Sequence, residues 1–139
     1  MKFNKDILEM YLKRGLCSGI GNRDKQVCVE AAICLAMGLP FGDNPSCVAP
    51  SLRSFKISLN DKAWSSPQTR SKGMRKLAYA QIGTAGKLDE KLFSQRLAEL
   101  TIRNIIPELF NELGICPKAA EACKEGTEAA AYDAAYAAY

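Results

Sequence analysis

The sequence predicts an all-α protein, a compact bundle of five to seven helices closed by an Ala/Tyr-rich C-terminal helix. Apolar residues recur at helical spacing in one segment after another. The segments are punctuated by Gly and Pro stops. At 139 residues the chain is long enough to bury a core without covalent staples, and its 47% hydrophobic and 24% charged content places it with ordinary globular chains.

"FNKDILEMYLKRG" opens the pattern, with Asn4 as N-cap, Ile7, Leu8, Tyr11 and Leu12 at helical spacing, and Gly15 as the stop. After a loop, "LCSGIGNRDK", a second helix is expected from about Asp24 to Met37. Val27, Ala31, Cys34 and Leu35 form one stripe, but Cys28, Ala32 and Ile33 leave the helix apolar almost all round. Such a helix belongs in the centre of a fold. Gly38 and Pro40 end it. "LPFGDNPSC" reads as a turn-rich loop. A third helix after Pro50 would face inward with Leu52, Phe55 and Leu59; the alternation in "FKISL" also fits a strand, and the helical neighbours favour helix. Ser66 followed by Pro67 is a clear helix start, with Met74, Leu77, Ala78 and Ile82 inward and Gly83 at the end. "LDEKLFSQRLAELTIRNII" is expected to start at Asp89 and bury Leu92, Phe93, Leu97 and Leu100, before Pro107 begins or kinks a piece ending at Gly114.

Two parts are expected, a helical domain over 1–126 and the tail over 127–139. In the tail Thr127 can cap an Ala-rich helix whose Tyr132, Tyr136 and Tyr139 share one face. That face suits packing onto the body or contact between copies. The Ala-Ala-Tyr repeat running into the last residue predicts a natural tract longer than this sequence.

No stretch approaches the roughly 18 consecutive apolar residues of a membrane span. "MKFNKDILEM" lacks the apolar core of a secretory leader. Cytoplasmic placement is therefore expected, and with it reduced thiols for the six cysteines. On one helix Cys28 and Cys34 would stand about 9 Å apart, beyond the roughly 7 Å reach of a disulfide. The spacings contain no Cys-x2-Cys knuckle and the chain has no histidine, so no metal site and no cofactor is expected. The missing histidine also removes Ser-His-Asp and Cys-His catalysis.

Charge is uneven. Residues 1–50 are net +1, residues 51–87 net +7 and residues 88–139 net −4, within an overall +4. The basic middle is either an anion- or nucleic-acid-facing surface, carried by Arg53, Lys56, Arg70, Lys72, Arg75 and Lys76, or a complement to the acidic C-terminal third. Little aromatic interleaving accompanies it, so base stacking is poorly served. Glu30 interrupts the apolar second helix and requires a cationic partner if buried, Arg53 or Arg23 being the candidates. Cys28, Glu30 and Asp61 are the residues on which an enzyme without histidine would centre; the packing reading of Cys28 and the turn reading of Asn60-Asp61 are preferred over it.

The order "VCVEAAICLAMGLP", "LRSFKISLNDKAW" and "GMRKLAYAQIG", across residues 15–83, resembles small uncharacterised proteins of bacteria and their phages. The resemblance implies a phage or mobile-element setting and transfers no activity or residue role. The expectation is a small non-enzymatic binding or regulatory protein, working through protein–protein contacts and homo-oligomer formation with Tyr132, Tyr136 and Tyr139. The alternative is nucleic-acid binding through 51–87.

Overall fold

Asn4 shows how local chemistry starts this fold. In the computed structural model, which describes residues 2–114, 117–127, Ala129 and Tyr132, its Oδ1 accepts from the backbone N–H groups of Asp6 and Ile7 at 3.0 and 3.2 Å. That caps helix α1, Lys5–Arg14. The expected second helix begins later than Asp24. Asn22 Oδ1 accepts from Asp24 N–H and Gln26 O accepts from Asn22 N–H, folding 21–27 into a tight turn with an antiparallel bridge between Gly21 and Val27. The turn requires Gly21: φ is +76°, and a Cβ there would meet Gln26 O at 2.2 Å. Helix α2 is therefore Val29–Ala36, capped by Cys28, whose Sγ accepts from Ala31 N–H. Every residue of α2 is buried.

Helix α3, Pro50–Asn60, confirms helix over strand, but its buried face is Leu52, Lys56 and Asn60, while Phe55 and Leu59 are half-buried. Helix α4, Pro67–Ala80, starts as expected, with Ser66 accepting from Thr69 N–H. It buries Ser71, Met74 and Ala78. Among the described residues there are helices and one isolated bridge, with no strand. The all-α expectation holds.

The chain divides into two units, Met1–Glu90 and Lys91–Tyr139. In the first, α2 is the central element, packed against α1, α3 and α4. Leu8, Leu12, Leu16, Val27, Ile33, Met74 and Ala78 form the heart of its core. The second unit is built on a long helix: α5, Glu90–Leu100, a π-helical turn, Thr101–Ile105, and α6, Ile106–Leu113. Proline at 107 lacks an N–H and its ring crowds the carbonyl four residues back, and the wider turn immediately before it accommodates both. Gly114 closes α6 in the left-handed conformation. Ile102, Ile106 and Phe110 pack against Ala119 and Cys123 of α7, Pro117–Cys123.

None of the four residues expected inward on α5 is fully buried: Phe93 and Leu97 are half-buried, and Leu92 is 49% and Leu100 54% exposed. Of the tail at 127–139, only Thr127, Ala129 and Tyr132 are described.

Candidate functional site

The first unit brings the start of α2, the end of α3 and the Cys17–Gly21 loop to one small cleft. It is lined by Gly19, Cys28, Glu30, Asp43, Asn60 and Asp61, with Ile20, Val29 and Ile57 as apolar walls. Its volume is about 20 Å3, room for one water. Cys28, Glu30 and Asp61, grouped in the sequence as the centre of an enzyme without histidine, share one lining.

Asn60 organises it. Its Oδ1 accepts from Val29 N–H at 3.3 Å, and its Nδ2 donates to Cys17 O at 2.9 Å and Asp61 Oδ1 at 2.8 Å. Asp61 Oδ1 also accepts from Gly19 N–H at 2.8 Å. Burial pushes the Asp61 carboxyl up, but these donors, with Ser18, outweigh it and hold it below the usual carboxylate value.

Behind the cleft lies the partner of Glu30. It is neither Arg53 nor Arg23: Lys56 Nζ stands 2.6 Å from Glu30 Oε1, with both side chains wholly buried. The contact lacks the directionality of a hydrogen bond, and among the described residues neither carboxylate oxygen nor Nζ finds another hydrogen-bond partner. Burial raises the Glu30 carboxyl, with the Lys56 charge pulling the other way, and burial lowers the Lys56 amine. Burial also pushes the Cys28 thiol up to about 11, so it stays protonated near neutrality. Cys17, Cys28, Cys34, Cys47 and Cys123 are free thiols; Cys116 lies outside the described residues.

The six basic candidates are not gathered on one face. Lys56 is buried, which corrects its assignment to an anion-facing surface. Arg53 donates to Asp43 O and Oδ1. Arg70 donates to the carbonyls of Asn60, Leu16 and Lys62, tying α4 to the end of α3. Arg75 and the Tyr79 hydroxyl both donate to the Glu9 carboxylate, joining α4 to α1. Only Lys72 and Lys76 of the six are exposed without a recorded ion pair among the described residues. Three or more Cys, Asp or Glu arranged to hold a metal do not occur among the described residues.

The second unit presents something the sequence reading missed. Ile105, Leu109 and Leu113 follow at four-residue intervals and are 57%, 48% and 61% exposed, next to the face that packs on α7. The signal was present in "IIPELFNEL", whose adjacent Ile105 and Ile106 begin two parallel stripes, only one of which α7 covers. Arg103 fastens α7 to the long helix by donating to Glu125 O. Tyr132 is exposed, while Tyr136 and Tyr139 lie outside the described residues. No described helix is long and apolar enough to cross a membrane. In comparisons with known proteins, no family model, no curated protein and no solved structure matches the chain.

Proposed function

We propose that this chain is a small non-enzymatic binding protein that works through protein–protein contacts and pairs with a second copy of itself along α6. One observation carries the reading: the uncharged Ile105–Leu109–Leu113 ridge, exposed on one helix face. Apolar residues aligned on a surface in this way mark contact sites more often than scattered single ones do. Charge favours a second copy in antiparallel orientation. Centred on Leu109, such a contact sets Ile105 against Leu113 and brings the exposed Arg103 toward Glu112 of the other copy, whereas a parallel contact opposes Glu108 to Glu108. Tyr132 is a further exposed contact candidate, and a phage or mobile-element accessory role is the setting that the sequence resemblance supports.

Size-exclusion chromatography with light scattering, across protein concentration and salt, tests this. A concentration-dependent dimer that Leu109→Asp converts to monomer, with helicity unchanged, is the expected result. A wild-type monomer at the highest concentration overturns it. Co-purifying nucleic acid that high salt strips away would instead favour the nucleic-acid alternative, which retains Lys72 and Lys76 as solvent-facing cations. The enzyme reading has one supporting observation, the shared cleft of Cys28, Glu30 and Asp61; a protonated, 5% exposed thiol is a poor nucleophile for it.

A further inference from the structure

Buried lysines and glutamates ordinarily face each other as hydrogen-bonded ion pairs. Glu30 and Lys56 do not follow that arrangement. Nζ lies 2.6 Å from Oε1, both side chains are fully excluded from solvent, and the contact is not directed along a hydrogen bond. No other group among the described residues satisfies either the carboxylate or the amine. We infer that Glu30 and Lys56 are a self-modification site, at which the Lys56 amine condenses with the Glu30 carboxyl to form an amide cross-link between α2 and α3.

The chemistry balances without any co-reactant. Transfer of one proton from Nζ to the adjacent carboxylate converts the ion pair into a neutral amine and a carboxylic acid, the form that a dry site favours, and the direction in which burial shifts both groups agrees. The Nζ lone pair attacks Cδ, forming the N–C bond. One Cδ–O bond then breaks, and that oxygen leaves as water with the carboxyl proton and one proton from Nζ. Nothing is oxidised or reduced. Two features of the fold assist the step. Rigid helices hold the reacting groups together, and held geometry of this kind reaches effective concentrations of about 10⁵ M or more. The expelled water also has a place to go, since Glu30 lines the cleft, whose volume of about 20 Å3 accommodates one water. The Cys28 thiol in the same lining, pushed up to about 11, remains a protonated bystander.

Intact mass spectrometry of the purified full chain under denaturing conditions tests the cross-link directly. The expected mass is lower than the sequence mass by one water. Trypsin does not cleave after an acylated lysine, so a digest should yield the peptide spanning 26–53 joined to the peptide spanning 54–62. Lys56→Arg keeps a cation beside Glu30 but is a poor acyl acceptor, and its mass should be the full sequence mass. Wild-type protein at full sequence mass overturns the inference. So does a water loss that maps to any other peptide, or one that persists in Lys56→Arg.

Discussion

Replacing Asn60 with alanine tests whether one buried amide sets the geometry of the first unit. The side chain is 1% exposed and satisfies two backbone groups from different segments, Cys17 O and Val29 N–H, besides Asp61. Asp61 is exposed and regains water, so its loss counts for little. Each stranded buried backbone group costs about 1–3 kcal/mol, so the two together predict a loss of about 2–6 kcal/mol. That is a large share of the roughly 5–15 kcal/mol by which a domain is stable. Urea unfolding followed by the fluorescence of Trp64, the chain's single tryptophan, reports on the first unit. Asn60→Asp sharpens the test. The isostere still accepts from Val29 N–H but, when ionised, cannot donate to Cys17 O, and it sets a second carboxylate against Asp61. Its deficit should therefore be at least as large as that of Asn60→Ala near neutrality and narrow under acid conditions, where protonation restores a donor. A destabilisation below about 1 kcal/mol for Asn60→Ala would show that these bonds are not the organising contacts.

Three further outcomes are expected. Gly73→Ala would ordinarily strengthen a helix by about 1 kcal/mol, but a Cβ there meets the Trp64 ring at 2.4 Å, so the substitution should destabilise and shift the tryptophan emission. The Tyr79 hydroxyl, followed by Arg75, holds the Glu9 carboxyl below its ordinary value of 4.5; its stabilising contribution is present above the unfolded value and disappears as pH falls through the folded one. The stability gap between wild type and Glu9→Gln should accordingly close below about pH 4, and a pH-independent gap would refute the assignment. Cys28 and Cys34, both buried with thiols raised to about 11, should alkylate in the native protein only after the half-buried Cys47 has reacted, as mass mapping after iodoacetamide would show.

What the sequence made legible is whatever local chemistry decides. Asn4, Ser66-Pro67, Gly15 and Gly114 mark helix ends because caps and left-handed stops act within a few residues. The apolar character of residues 29–36, broken only by Glu30, announced a central helix. The start of that helix was misplaced because the Asn22 turn competes with helix for the same backbone groups, and Asn is good at that competition. Likewise, Leu92 and Leu100 were placed inward from helical spacing within α5 alone, and spacing does not say how much of an apolar face a neighbouring element covers. The two apolar stripes of 105–113 were legible in the sequence, but which of them α7 covers depends on tertiary packing and was not.

Lys56 shows the limit most clearly. By type it belongs with the basic residues of the middle segment, and lysine is almost never fully buried without a partner. Two clues nevertheless pointed inward. Glu30 sits in a helix with no exposed face and therefore demands a buried cation, and Lys56 lies one helical turn from both Leu52 and Asn60, the other residues α3 buries. The arginines were the natural guess because guanidinium is the commoner buried cation, but the Arg53 side chain is committed to Asp43 and Arg23 is exposed on the 21–27 turn. Burying the lysine instead removes one cation from the basic segment, and the same packing that withdraws it from any anion places its amine against a carboxyl. Burial already removes the surface reading of Lys56, and the intact mass of the protein separates the two that its position leaves, a covalent cross-link to Glu30 and a buried ion pair with it.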